Sequence, residues 1–293
     1  MSTLTLGILG GLSSAFTWSM ITILSQTLSH RFTPAGINGF RATVGGFTIL
    51  AGALAAGYGP EIIGMPLWAA VTLWLSVIIG YTGGDAVFFS GMRLLGVTRA
   101  HTLSMTHPLM STVIGALFLG EPITPIRALG ILLVLGGIGL IVTGKGDGGS
   151  EMTGSHWRGV QLVLIAAVAW TVAAVLLKAP LREVSPVSAT AVRNPVAGLV
   201  LWMTPWARGT WSAVVSSRGR DAWALAGVCM LSVLSPVLFT IGIKYAGVGI
   251  GSVLATTAPL FTIPLEILVL KRPPGRRTIA GALTTVAGIV LMS

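Results

Sequence analysis

Charge is scarce in this chain: of 293 residues only 9% are Asp, Glu, Lys or Arg, and eight are acids. A soluble domain carries about 25% charged residues. Polar surface this thin cannot clothe a water-soluble globule of this length, whereas helices facing lipid need none. Cysteine is nearly absent. The single Cys229 excludes an internal disulfide and a cysteine-built zinc site. No glycine-rich phosphate loop followed by Lys occurs, and the segments between apolar runs are short, which excludes an ATP-driven pump. The net charge of +10 does not point to nucleic acid, because the 18 Lys and Arg are scattered between apolar runs and form no patch with stacking aromatics. No cofactor and no metal is implied. The first apolar stretch, residues 4 to 28, is expected to stay as a span: it is too long for a signal core, and no Lys or Arg precedes it.

What is abundant is apolar sequence, 53% hydrophobic, with 39 glycines. A helix crosses about 30 Å of hydrocarbon with roughly 20 apolar residues. Ten such runs are present, at 5–28, 35–57, 67–91, 97–119, 126–143, 159–178, 186–206, 222–245, 249–270 and 278–292. Turn and charge clusters separate them, among them His30-Arg31-Phe32-Thr33-Pro34, Gly120-Glu121-Pro122 and Lys271-Arg272-Pro273-Pro274-Gly275.

The chain also repeats itself. A shift of 151 residues lays Gly96-Val97 on Gly247-Val248, Thr106 on Thr257, Pro108-Leu109 on Pro259-Leu260, Pro122 on Pro273, Gly130 on Gly281, and Gly137-Ile138 on Gly288-Ile289. A shift of 152 lays Gly7 on Gly159, Trp18 on Trp170, Pro34 on Pro186 and Arg41 on Arg193. The expected fold is therefore an all-α integral membrane protein of ten transmembrane helices, two five-helix repeats at 1–147 and 148–293 around a central cavity. Five is odd, so the second repeat enters the membrane inverted, as in transporters. The positive-inside rule favours external termini, because cytoplasmic termini would leave only Arg127, Lys178, Arg182, Arg193 and Lys244 on the inner side.

The two-by-five plan, Thr17-Trp18-Ser19, Arg41 at the start of the second span and the run Leu117-Phe118-Leu119-Gly120-Glu121-Pro122-Ile123-Thr124-Pro125 together resemble the EamA family of the drug/metabolite transporter superfamily. The resemblance covers essentially the whole chain. It implies a ten-helix basket in the inner membrane that exports small metabolites, amino acids with aromatic ones included, and it implies cytoplasmic termini, against the charge count. Drugs and nucleosides are the alternative substrates at family level. One departure is Lys271-Arg272, where the second half replaces the Gly-Glu of the first.

Ionisable groups inside spans cost about 2.5–3.5 kcal/mol each near the helix centre and therefore need partners, water or a function. Among the acids Asp85 lies well inside a span, with His101 at similar depth on the next helix, so the two can pair; Asp85 is either a protonatable or ammonium-binding site or half of a structural pair. Proton coupling would run through it. Glu266, near its helix end, is expected at the interface. Pro108 and Pro259 are repeat-related and near midplane, where each frees the carbonyl four residues back and can act as hinge or acceptor; a static kink is the plainer reading. His101, Ser104, Met105 and Pro108 share one helical face, as do Ser252, Ala255, Thr256 and Pro259. Trp18 and Trp170, with Ser14 and Tyr81, supply flat walls with polar contacts, or simple packing. His107 is expected to be packed, and Arg41 and Arg193 to snorkel or pair at the rim, with attraction of substrate carboxylates as their alternative role.

These residues point to a secondary transporter working by alternating access, not an enzyme, with a small-molecule substrate and a monomer as the working unit. An intramembrane enzyme built on Ser104, His101 and Asp85 is the alternative from another class; it requires the Ser104 hydroxyl to face away from its own backbone. A purely structural scaffold would not need repeated midplane prolines.

Overall fold

The computed structural model describes residues 3–107, 110, 124–142, 154–255, 257–271 and 273–292. Among them every regular element is helical. In the first half α1 is Thr3–Thr27, α2 Pro34–Ala55, α3 Leu67–Leu95, α4 Val97–Ser104 and α5 Pro125–Val142. In the second, α6 is Gly154–Lys178, α7 Pro186–Trp202, α8 Gly219–Ala255, α9 Ala258–Leu265 and α10 Arg276–Met292. Among the described residues four stretches, Thr3–Thr27, Leu67–Leu95, Gly154–Arg182 and Gly219–Ala246, are long and apolar enough to cross a bilayer.

The same local chemistry starts α2 and α7. Thr33 Oγ1 accepts the Gly36 N–H at 2.9 Å and Ser185 Oγ accepts the Ser188 N–H at 3.1 Å, each followed by proline in the first turn, where its missing N–H costs nothing. One expected boundary is absent. The sequence suggests a break near 246–248, yet α8 runs unbroken for 37 residues, roughly 55 Å at the helical rise. In the first half Gly96 does break the chain, at φ +83°, and the Glu266 carboxylate takes the N–H and hydroxyl of Thr98 at the start of α4. Gly249 stands where Thr98 does, and Gly115 where Glu266 does, so the second half lacks the groups that hold such a break.

The bundle encloses many small polar side chains within an otherwise apolar core and carries apolar residues on its outside. Ser19, Thr22, Asn38, Ser76 and Thr240 are fully enclosed, while Val168, Val172 and Val175 form an exposed stripe along α6, as expected of a surface that meets lipid. Some buried hydroxyls are satisfied by their own helices, as where Ser19 donates to Ala15 O at 2.8 Å and Thr22 to Ser19 O at 2.8 Å, and others across helices, as where Ser76 donates to Ala173 O at 3.0 Å.

Packing between helices follows a reciprocal pattern. α1 lies against α8 as α6 lies against α3, while α2 packs on α7 and α5 on α10. The contacts repeat atom for atom. A Cβ on Gly137 would sit 2.6 Å from Gly281 O, and one on Gly288 would sit 2.6 Å from Gly130 O. Both pairs are the ones the 151-residue shift aligns. Likewise Gly46 lies over the backbone of Pro195 and Gly198 over that of Thr43. Glycine is needed there because the facing backbone occupies the space of a side chain.

Candidate functional site

Between these helices lies a cavity of about 190 Å³, lined from both halves of the chain. α1 supplies Ser14 and Trp18, α3 supplies Tyr81 and Asp85, α4 supplies His101 and Ser104, and α6 supplies Trp170. Met105 and Pro259 also line it. The expected site residues whose side chains are described thus face one space. Of the others, Pro108 and Thr256 lie outside the described residues, and for Ser252 and Ala255 only the helical backbone is described.

The middle of α3 shapes one wall. Its segment Ile78–Gly84 is wound as a π-helix, a wider turn that is rare and often found at functional sites. Gly80 and Gly84 in that turn let α6 come close: a Cβ on Gly84 would be 2.8 Å from Trp170 Nε1. The closeness lets Trp170 Nε1 donate to Asp85 Oδ1 at 2.8 Å. The other oxygen of Asp85 takes a hydrogen bond from Arg41, forming a buried ion pair. Arg41 also donates to Tyr81 Oη at 2.8 Å, and its guanidinium lies 4.4 Å from the Tyr81 ring centre and 5.2 Å from that of Trp18. Trp18 meets Trp170 edge to face, with ring centres 6.0 Å apart. The carboxylate is held by N–H donors of Trp170 and Arg41, and the guanidinium by aromatic faces, so the pair needs no water.

Several expectations are corrected by this arrangement. Asp85 does not pair with His101; His101 Nε2 is 2.9 Å from the Thr22 hydroxyl, and Arg41 takes the carboxylate. Arg41 and Arg193 are not at the rim. Each sits seven residues beyond the proline that opens its helix, about 10 Å in along the axis, too deep to reach the surface. Glu266 is buried against Thr98 instead of reaching the interface. His107 lines the cavity. Pro259 does not stand in the interior of a continuous helix but in the first turn of α9, just after the turn residue Thr257. α8 ends at Ala255 and α4 at Ser104, positions that the 151-residue shift aligns. Ser104 Oγ donates to its own helix, at His101 O, 2.7 Å away. Ser104, His101 and Asp85 therefore form no nucleophile relay.

Family comparison agrees with the duplicated plan. The model of the EamA-like transporter family matches twice, over residues 5–143 and 157–293. The chain belongs to the EamA-like transporter family. The aromatic amino acid exporter YddG of Ancylobacter novellus is 25% identical over 280 residues, covering 93% of this chain and 92% of that protein. An uncharacterized transporter of Archaeoglobus fulgidus is 29% identical over 136 residues, 46% of this chain and 47% of its own length. One crystal structure superimposes with a TM-score of 0.71 at 17% identity, covering 99% of this chain and 98% of its own, so the fold is shared. This EamA-family protein is a multi-pass membrane transporter with a small-molecule substrate.

In the EamA-family cavity the two repeat-related arginines differ. Arg41 has Asp85, but the position that matches Asp85 in the second half is Pro236. Asn194, Pro236 and Phe239 line the cavity and were not singled out by the sequence, and Arg193, expected at the rim, lines it too. The depth of Arg193 was available from its distance to Pro186. Its orientation was not, because nothing in α7 alone says which face meets the cavity.

Proposed function

We propose that this protein is a secondary transporter of the inner membrane that exports amino acids, aromatic ones included, by alternating access around the central cavity. The observation that carries the reading is the cavity itself, walled by Trp18 and Trp170 from equivalent places in the two halves, with polar groups few and clustered. The export of aromatic amino acids by YddG supports the substrate class.

The ten-span plan, with inverted repeats at 1–147 and 148–293, fits the reciprocal glycine contacts, since a two-fold axis brings each residue against the counterpart of its own neighbour. The connections agree with it too. Glu61, between α2 and α3, accepts from Ser185, between α6 and α7, and Arg31, before α2, pairs with Asp221 at the start of α8. Helices that cross in alternation put each of these pairs on one face. The aligned interruptions after Ser104 and Ala255, beside Pro108 and Pro259, are the hinges of the rocking motion, and Asp85 is the protonatable group through which a proton gradient would couple. The monomer is the working unit.

Purified protein in liposomes preloaded with unlabelled phenylalanine should take up labelled phenylalanine by counterflow and return it chemically unchanged. No exchange of any amino acid, with exchange of nucleosides or cationic drugs instead, would replace the substrate class. A modified product would overturn transport altogether. An Asp85→Asn variant that still responds to an imposed pH gradient would remove Asp85 from coupling.

A further inference from the structure

Arg193 brings a second guanidinium to the wall of the cavity. Its relative exposure is 7%, and among the described residues its side chain makes no hydrogen bond and no ion pair; its Nε is enclosed without an acceptor. The fixed charges along the cavity are Arg41, Asp85 and Arg193. Asp85 is hydrogen-bonded to Arg41 and reaches Arg193 only through its field, so among the described residues the cavity keeps one net positive charge, and the Arg193 guanidinium has no direct partner inside a wall made largely of Trp18, Trp170, Phe239, Leu177 and Met105.

A buried charge without a partner is costly, by several kcal/mol once relaxation is counted, and such groups are retained where something arrives to pair with them. A planar fork of N–H donors matches a carboxylate, which it can hold by two parallel charge-assisted hydrogen bonds. Inverted duplication explains how the arginine came to be free. The repeat copies the arginine of the second helix, at 41 and 193, but puts proline at 236 where the first half has its acid.

We infer that Arg193 receives the carboxylate of the transported molecule, so that the site selects carboxylate-bearing solutes over neutral and cationic ones of the same shape. This rests on the transport reading and names the recognition group within it. The role also separates the two arginines: Arg41 holds the wall together through Asp85, and Arg193 meets the cargo.

Pairs of probes that differ only in the carboxylate test it: phenylalanine against phenylalaninamide, and 3-phenylpropionate against 3-phenylpropionamide, in counterflow and in binding to the purified protein. With the unmodified protein each acid should compete at least about tenfold better than its amide, the loss expected for one charge-assisted contact. In Arg193→Gln the preference should fall to about twofold or less, and Arg193→Lys should restore part of it. Equal competition by acid and amide in the unmodified protein overturns the assignment while leaving transport intact, and this arm needs no variant to fold. Retention of the full preference in a monodisperse Arg193→Gln also overturns it. Failure of all four probes to bind or exchange overturns the assignment together with the amino-acid reading, and exchange of nucleosides in the same vesicles shows that only the substrate class was wrong.

Discussion

Trp18 and Trp170, 152 positions apart in the sequence, meet edge to face with their rings 81° from parallel. Each belongs to the first helix of its half, and the two sit at the same place in the repeat. The contact brings the two halves together at the wall of the cavity. The Trp170 indole N–H goes on to Asp85, which links this contact to the ion pair with Arg41.

The Arg41–Asp85 pair should behave as a buried unit. Removing one partner strands the other charge, so Arg41→Met and Asp85→Leu are each expected to destabilise by about 3–5 kcal/mol. The double variant should lose less than the sum of the two. Thermal melts of the three variants in one detergent give the coupling; additive losses would show that the two charges do not depend on each other.

Gly84 is one of the points where α3 and α6 come close beside the site. An added methyl at 2.8 Å from Trp170 Cδ1 and Nε1 must push the indole off Asp85. Gly84→Ala is expected to lower stability by about 1–3 kcal/mol and to slow counterflow. Exchange at the parent rate in that variant would mean the Trp170–Asp85 contact does not matter for turnover.

The reciprocal glycines give a paired prediction. Gly137→Ala and Gly288→Ala each place a methyl against the facing carbonyl, at 2.6 Å, and should cost similar amounts. Gly139, with nothing within 4 Å of its Cβ direction, should tolerate alanine and gain up to about 1 kcal/mol from helix propensity. Melting temperatures of the three variants decide it, and a penalty confined to one half would break the symmetry argument.

At one end of the bundle, burial would raise the Glu61 carboxyl, but hydrogen bonds from the Ser188 hydroxyl and the Ser185 N–H and hydroxyl, with the charge of Lys244, hold it below its ordinary value of 4.5. The carboxylate is thus favoured in the folded state. Its contribution is fully present above about pH 5 and is lost as pH falls through the lowered value. The melting-temperature gap between the parent and Glu61→Gln should be constant at neutral pH and close on acidification below 4.5. A gap that instead widens in acid would reverse the sign.

Much of this could be read along the chain. Apolar runs of span length report lipid directly, because burial in a bilayer demands a local property of consecutive residues. The repeat was equally legible, since Pro34 and Pro186 or Gly137 and Gly288 keep their spacing whatever they touch. Residues of the cavity were found where depth and periodicity sufficed, as at Trp18, Asp85 and His101. Errors arose where partners had to be chosen. Asp85 and His101 are close in sequence and depth, yet the carboxylate goes to Arg41, 44 positions earlier, which no local pattern announces. Similarly, the break after residue 245 failed to form because a helix end needs donors and acceptors from elsewhere, such as Glu266 on Thr98.

The sequence by itself determined the class of solvent, the number of apolar runs and the internal duplication, because each depends on composition or spacing along one chain. Only the tertiary structure decided which arginine is neutralised. Charge pairing depends on distances between helices far apart in sequence, and packing left Arg41 beside an acid and Arg193 beside the cavity.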